Sequence, residues 1–410
     1  MELNLDFVRK QFPSLQGEWT FFDNAGGSQT LQTVIDRLGE YLSTSDVQLG
    51  ASYEPSQIAG KRVQEGFHFV KELLNARDVS EIIFGSSTTQ LLRQLSVSLV
   101  KTLQPGDEII VSNTEHEANA GPWVNLQAYG IVVKFWEINH DTLELNIEDL
   151  KNLLSPKTKL VSVTHASNIL GTIIPIKEIA KIVHEQNAYL CVDAVAYAPH
   201  RLPDVLDLDV DFYVFSFYKV YGPHYAALYG RREILEKLPN INHFFIQEND
   251  IPYKLQPGSA NYELSYSYVG YRDYLEALVE EHFPETTDPH TRKAYQKVYA
   301  LFTDQETKLT ARLLDFLNSK SNVKIIGKTS ADENERVSTI SFVLNGVMSS
   351  SITEKVDAHK IGIRYGDFYA RRLIDTLDYS KSDGVIRVSM VHYNTLEEVD
   401  RLIEIFDRLF

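Results

Sequence analysis

The sequence predicts an α/β fold built on a mainly parallel sheet, followed by a smaller α+β region. Three observations point there. Short apolar runs bounded by turn signals, such as residues 189–192 and 212–215, fit strands buried on both faces. Helical patterns separate these runs, and strands alternating with helices imply βαβ units. Beyond about Asn261 the order changes to long helical stretches and then strands, which suggests a second, α+β domain. With 410 residues, 43% of them hydrophobic and 23% charged, two domains with substantial cores are expected. Residues 16–262 are assigned to the large domain and 263–410 to the small one, with 1–15 packing on the latter.

Taken in order, residues 6–11 start a short helix before Pro13. Residues 20–22 are strand-like, 23–27 form a turn, and Ser28 or Thr30 is the expected cap of an amphipathic helix. The paired Gly26 and Gly27 let backbone come close to a neighbouring segment or to a ligand. Residues 57–75 are helical, and a strand at 81–84 runs into GSSTTQLLRQLSVSLV, a hydroxyl-rich turn with a helix from about Thr89. Helix amino ends present free N–H groups, so this turn is either ordinary capping or a phosphate site. Neither a glycine-rich dinucleotide fingerprint nor a P-loop occurs. A strand at 108–111 leads to His116, a plain loop residue or a ring able to stack on an aromatic cofactor. Residues 159–164 form the next strand, and Pro175 with Ile176 opens a helix. After the strands of the opening observation, 225–229 is expected to return antiparallel behind the Gly222-Pro223 turn. In the C-terminal region 268–281 and 290–319 read as helices, 337–344 as a half-buried strand and 352–358 as a helix. A short strand at 362–365 and another at 385–391 follow. Thr395 and Glu398 form a capping box for the closing helix.

Two of these strands end on residues that can do chemistry. The run at 189–192 stops on Asp193; the run at 212–215 stops on Ser216, with Lys219 three residues on. Ligands of open α/β sheets bind beyond the carboxyl ends of the strands. Taken singly, such an Asp is usually a turn former or cap, and such a Lys a solvated loop residue. Taken together, an acid able to keep a pyridine nitrogen protonated and a lysine able to form an imine suggest pyridoxal phosphate (PLP).

Bulk properties narrow the rest. No apolar run reaches the ~20 residues of a membrane span, and no signal core follows the amino terminus, so a cytoplasmic location is expected. The single cysteine, Cys191, rules out an internal disulfide framework and a multi-cysteine metal site. A net charge of −16 argues against nucleic acid as a partner.

Several segments, in order, then carry a family resemblance: FFDNAGG, FGSSTTQ, GDEIIVSNTEHEAN, VTHASNILGTIIPIKEIA, LCVDAVAYAPH, DFYVFSFYKVYGP and RVSMVHYNTLEEVDRL. They resemble a fold-type I PLP enzyme of the class V aminotransferase family, in its cysteine desulfurase-like branch. The resemblance implies the PLP-dependent transferase fold, with a mainly parallel seven-stranded sheet sandwiched by helices and a smaller α+β C-terminal domain. It implies that Lys219 holds PLP and moves the Cα proton, that Asp193 pairs with the pyridine nitrogen, and that His116 stacks on the ring. Thr88, Thr89 and Ser216 would bind the phosphate, and Tyr218 stands where these enzymes usually have a histidine. Ser259 resembles a residue reaching the phosphate of a partner subunit, which implies a homodimer with a shared active site. Arg387 would clamp the carboxylate of an amino-acid substrate, assisted by Asn168, with Ala25 and Gly26 as further substrate-binding candidates.

Two departures alter the expected chemistry. Active desulfurases carry a sulfur-accepting cysteine on a loop whose counterpart here is IGIRYGDFYARRL, and the position falls on Tyr369. A phenol cannot carry a persulfide, and Cys191 lies inside an apolar strand where thiols are mostly inert. Ala196 also replaces a glutamine that usually contacts the cofactor's phenolic oxygen. The expectation is therefore a PLP enzyme acting at Cα of an amino acid by elimination, transamination or racemisation, with no sulfur-acceptor partner. A desulfurase using another thiol, and a non-catalytic PLP-binding protein, remain as alternatives.

Overall fold

The computed structural model describes residues 2–256, 258 and 260–410. A short helix α1 (Leu5–Lys10) and strand β1 (Thr20–Phe21) precede helices α2 (Gln32–Thr44) and α3 (Glu54–Leu74). Strands and helices then alternate: β2 (Ile82–Gly85), α4 (Thr88–Leu99), β3 (Glu108–Ser112), α5 (Glu117–Val124), β4 (Val132–Trp136) and α6 (Ile147–Leu153). The series continues through β5 (Thr158–Thr164), α7 (Ile176–Glu185), β6 (Tyr189–Asp193), β7 (Phe212–Ser216) and β8 (Ala226–Gly230).

Strands β2 to β8 form a seven-stranded sheet in the order β2-β8-β7-β6-β5-β3-β4. β8 runs against both of its neighbours, and the other six share one direction. Every residue of β7 is buried, as are the last four of β6. Continuous apolar runs settle in this way when helices cover both faces of a parallel sheet. One face packs against α3 and α7 through Val63, Phe67, Ile176 and Ile179. The other packs against α4 and α5 through Leu91, Leu95 and Trp123.

The remainder runs through helices α8 (Arg232–Leu235), α9 (Tyr262–Ser267), α10 (Val269–His282) and α11 (Arg292–Asn318), then β9 (Val323–Ile326) and β10 (Thr339–Leu344). It closes with α12 (Ser349–Asp357), β11 (Ile361–Gly362), β12 (Arg364–Gly366), α13 (Arg371–Thr376), β13 (Val385–Ser389) and α14 (Leu396–Leu409). β12, β13, β10 and β9 make an antiparallel sheet in that order. The Thr395 and Glu398 capping box starts α14 as expected. β1 pairs in parallel with β11, and the Ser389 N–H donates to Phe22 O at 2.7 Å. That pairing brings Asp23 alongside β13 and thus beside Arg387.

Three local expectations are corrected. Neither Ser28 nor Thr30 caps α2: Leu31 stands at its N-cap without a side-chain bond. The Ser28 hydroxyl is instead taken by the chain around Lys219, accepting from Tyr221 N–H at 2.8 Å. The 337–344 strand is not half-buried, because all six residues of β10 are buried. Its second face meets the segment after β5, where Ser341 Oγ donates to Ile169 O at 2.6 Å. The strand expected at 362–365 is two strands, one pairing with β1 and the other with β13. No helix among the described residues is long and apolar enough to cross a membrane.

Candidate active site

Because β2, β3, β5, β6 and β7 run the same way, their carboxyl ends open on one edge of the sheet, where a cavity lies. Its lining includes Thr88, Thr89, His116, Asn168, Asp193, Ser216, Tyr218 and Lys219, so eight of the residues singled out in the sequence meet here. Asp193 ends β6 next to Thr164, its register partner on β5. Its Oδ1 accepts the Val195 N–H at 2.9 Å. Burial raises its proton affinity, and the charge of Lys219 opposes that rise.

Lys219 closes the short 3-10 turn Phe217–Lys219 that follows β7, and it is 6% exposed. The turn is strapped to the chain before α2, where Ser28 N–H donates to Tyr218 O at 3.0 Å, and just beyond it Tyr221 OH donates to Pro199 O, in the segment after β6, at 2.9 Å. Burial lowers the proton affinity of Lys219; the positive charge of Arg387 adds to this, against the pull of Asp193 and Asp23. An amine so placed loses its proton more readily than a surface lysine.

His116 caps α5, and its Nδ1 accepts the Ala118 N–H at 3.0 Å, which puts the ring hydrogen on Nε2. Burial, then the charges of Lys219 and Arg387, push its pKa down to about 4, so the ring is neutral. At the other end of the cavity Ser87 caps α4, accepting from Gln90 N–H at 3.1 Å. Thr88 N–H donates to Ser216 Oγ at 3.3 Å, and the two hydroxyls lie 2.8 Å apart. Hydroxyls gathered over a helix amino end form an anion-binding surface.

Arg387, Ala25 and Gly26 are not among the residues that line this cavity; they stand beside it, near enough for the Arg387 charge to act on Lys219 and His116. Arg387 on β13 is 2% exposed. It donates through Nη2 to Asp23 Oδ1 at 2.9 Å and through Nη1 to the backbone Asn168 O at 3.1 Å. Phe368 covers its guanidinium with the ring centroid 3.7 Å away. Arg387 is therefore not the open clamp that the sequence suggested; it is engaged and capped. The Asn168 amide is also in use, donating to Phe368 O at 3.0 Å. Ala25 N–H donates to Ser389 Oγ at 2.8 Å, so that amide is engaged too. A Cβ on Gly26 would lie 2.7 Å from Asp23 Oδ2, so a larger residue there would push that carboxylate aside.

Phe368 and Tyr369 both have positive φ, +50° and +59°, an uncommon pairing for residues with side chains. Tyr369 is 71% exposed, with its ring 5.3 Å from that of His116. Glu117 N–H donates to Tyr369 O at 2.7 Å, and Arg372 grips the Glu117 carboxylate at 3.1 Å through two nitrogens. Cys191 is fully buried, and burial pushes its thiol well above the usual range, as a packing role requires. Ser259 lies outside the described residues.

A family profile described as aminotransferase class-V matches residues 20–301 and 296–402. The chain belongs to that family. Among class V relatives, an aminotransferase-like protein of Gibberella zeae is 42% identical over 98% of this chain and 97% of its own length. A cysteine desulfurase-like protein of Aspergillus flavus is 36% identical over 97% of this chain and 88% of its own. In three dimensions, the apo cysteine desulfurase of Thermococcus onnurineus superposes with a TM-score of 0.87 at 25% identity. That match covers 100% of this chain and 98% of the other.

Class V enzymes use PLP, and the cavity suits it. It offers a buried lysine of lowered proton affinity, a strand-end carboxylate with one oxygen satisfied, a neutral imidazole and a hydroxyl-lined helix amino end. Sequence reasoning missed Asp23, Arg364, Phe368 and Glu115. Glu115 had a signal, an acid adjoining His116 in TEHEAN. Beneath the site it accepts from Ser112 Oγ at 2.5 Å, Asn119 Nδ2 at 2.7 Å and Thr164 N–H at 2.9 Å. The other three gave no local signal, because their partners are distant in the chain.

Proposed function

We propose that this chain is a homodimeric PLP enzyme acting at Cα of an amino acid, by elimination, transamination or racemisation, and not a cysteine desulfurase. The negative half is supported by the protein's one thiol, Cys191, which is buried in β6, and by the resemblance, which sets Tyr369, a phenol, at the loop position of the desulfurase cysteine. PLP, when bound, supplies an electron sink for negative charge at Cα. Asp193 is the residue that would keep the pyridine nitrogen protonated. His116 would cover the ring face, and Thr88, Thr89, Ser216 and Tyr218 would hold the phosphate. Lys219 Nζ would anchor the cofactor and later take the proton from Cα, a task suited to an amine whose proton affinity burial has lowered. Arg387 would orient the substrate carboxylate.

The test is incubation of the holoenzyme with cysteine and a reductant, alongside a panel of amino acids followed by cofactor absorbance. The expected result is a spectral response to some amino acids, and no sulfide formed together with alanine. Sulfide with alanine would establish desulfurase chemistry and overturn the proposal. Sulfide with pyruvate would point to elimination. Silence with every amine would leave a PLP-binding protein without catalysis.

A further inference from the structure

Among the described residues the Arg387 Nε–H is buried and has no partner, while Nη1 and Nη2 each donate one hydrogen bond, to Asn168 O and Asp23 Oδ1. A carboxylate gripping an arginine side-on takes Nε together with one Nη. Asp23 occupies half of that edge and leaves the other half empty.

The Asp23 carboxylate is itself loosely held. It is 28% exposed, and among the described residues it accepts no hydrogen bond except the one from Arg387. Its second oxygen lies 3.6 Å from Arg364 Nη1, whose side chain is 54% exposed. The guanidinium face is covered by Phe368, in a loop tied to the rest of the cleft by Asn168 Nδ2 to Phe368 O at 3.0 Å and Glu117 N–H to Tyr369 O at 2.7 Å, and bonded within itself from Tyr369 N–H to Asp367 Oδ1 at 3.0 Å. Left-handed residues with side chains persist where surrounding contacts enforce them.

We propose that Asp23 is a built-in occupant of the substrate-carboxylate position. The arriving carboxylate takes Nη2 and Nε of Arg387, Asp23 turns to Arg364, and the Phe368 ring moves aside. This rests on the reading of Arg387 as the substrate anchor. It makes Asp23 and Phe368 specificity-determining residues. A ligand displaces the internal carboxylate by bringing one of its own, and an amine without a carboxylate gains nothing at Arg387.

Displacement lowers apparent affinity by the fraction of molecules in which the anchor is free. With a free form populated at about 10% or less, removing the occupant strengthens carboxylate capture about tenfold or more. The experiment compares aminooxyacetate with O-methylhydroxylamine, which react alike with the cofactor aldehyde and differ in the carboxylate. Rate constants are read from cofactor absorbance of the holoenzyme, at low and high ionic strength. Asp23→Asn also removes a charge that acts on Lys219, which touches both reagents alike, so the readout is their ratio: the aminooxyacetate rate relative to that of O-methylhydroxylamine is expected to rise about tenfold and to keep that gain at high salt. Phe368→Leu is expected to move the same way by less. An unchanged or lower ratio in Asp23→Asn would make Asp23 a support of Arg387 and overturn the proposal. So would a gain that vanishes with salt, since it would report long-range attraction alone. Arg387→Lys tests the underlying reading separately: if it leaves the preference for aminooxyacetate intact, Arg387 is not the anchor.

Discussion

Asp193 and Lys219 reach the cleft from the ends of buried neighbouring strands, whereas Asp23, Arg364, Phe368 and Tyr369 reach it from a turn, a three-residue strand and a left-handed loop. The first group is fixed by the seven-stranded sheet, whose register sets each side chain to within the tolerance of close packing. The second is fixed by a few hydrogen bonds and one stacked ring. A catalyst that has to hold one cofactor and admit changing ligands gains from this division. If the cofactor and substrate bind as proposed, the cofactor end is the one held by close packing and the substrate end the one held by contacts that can be exchanged.

The comparison breaks most directly at Lys219. If the rigid end carries the chemistry, Lys219→Ala should lower turnover by at least about a thousandfold, in the range set by loss of a positioned base. Borohydride should no longer fix the cofactor to the protein, while thermal unfolding stays cooperative. Turnover within tenfold of the wild type, or a cofactor still fixed by borohydride, would show that the anchoring amine lies elsewhere.

A buried group under the same end gives a graded test. Burial pushes Glu115 up to about 8, and its three donors and the nearby charge of Asp193 only partly offset one another. A folded-state pKa raised above the unfolded value means stability that is complete below the ordinary carboxyl pKa and lost as pH rises toward 8. The wild type should therefore lose stability between about pH 4.5 and 8, at up to about 1.4 kcal/mol per pH unit at the steepest. Glu115→Gln should flatten that decline. Urea unfolding at pH 5.5 and 7.5 checks it, and a variant whose difference from the wild type is the same at both values would rule out the titration.

The two ends also differ in how well the chain announces them. The β6 and β7 runs, the hydroxyl turn before α4 and the Pro175-Ile176 helix start are local patterns, because strand period, capping and helix initiation act over a few residues. Asp193, Lys219, His116, Thr88 and Ser216 were legible for that reason. Arg387 was legible as a residue but not as an engaged one. Its partner Asp23 lies 364 positions away, and its cover Phe368 stands on a loop with no repeat or turn signature. Ser28 shows the same limit: a hydroxyl before a helix suggests a cap, and the tertiary fold spends it on the Lys219 turn instead. β4 and β9, edge strands of their sheets with several partly exposed positions, gave no clear period and went unanticipated.

Tyr369 supplies the smallest expected effect and the finest discrimination in the second group. Its phenol oxygen makes no hydrogen bond among the described residues, and the side chain is 71% exposed. What the protein uses is its backbone, which accepts from Glu117 at 2.7 Å, and its ring, which lies against His116. Tyr369→Phe keeps both, so stability should change by less than about 0.5 kcal/mol, as for surface positions generally. Turnover should change by less than about threefold, a barrier difference of the same small size. Steady-state rates across the pH range decide the matter. A loss of about a hundredfold with a changed alkaline limb would make the phenol an acid–base group. The substrate end would then hold part of the chemistry, and the division drawn between the two halves would no longer stand.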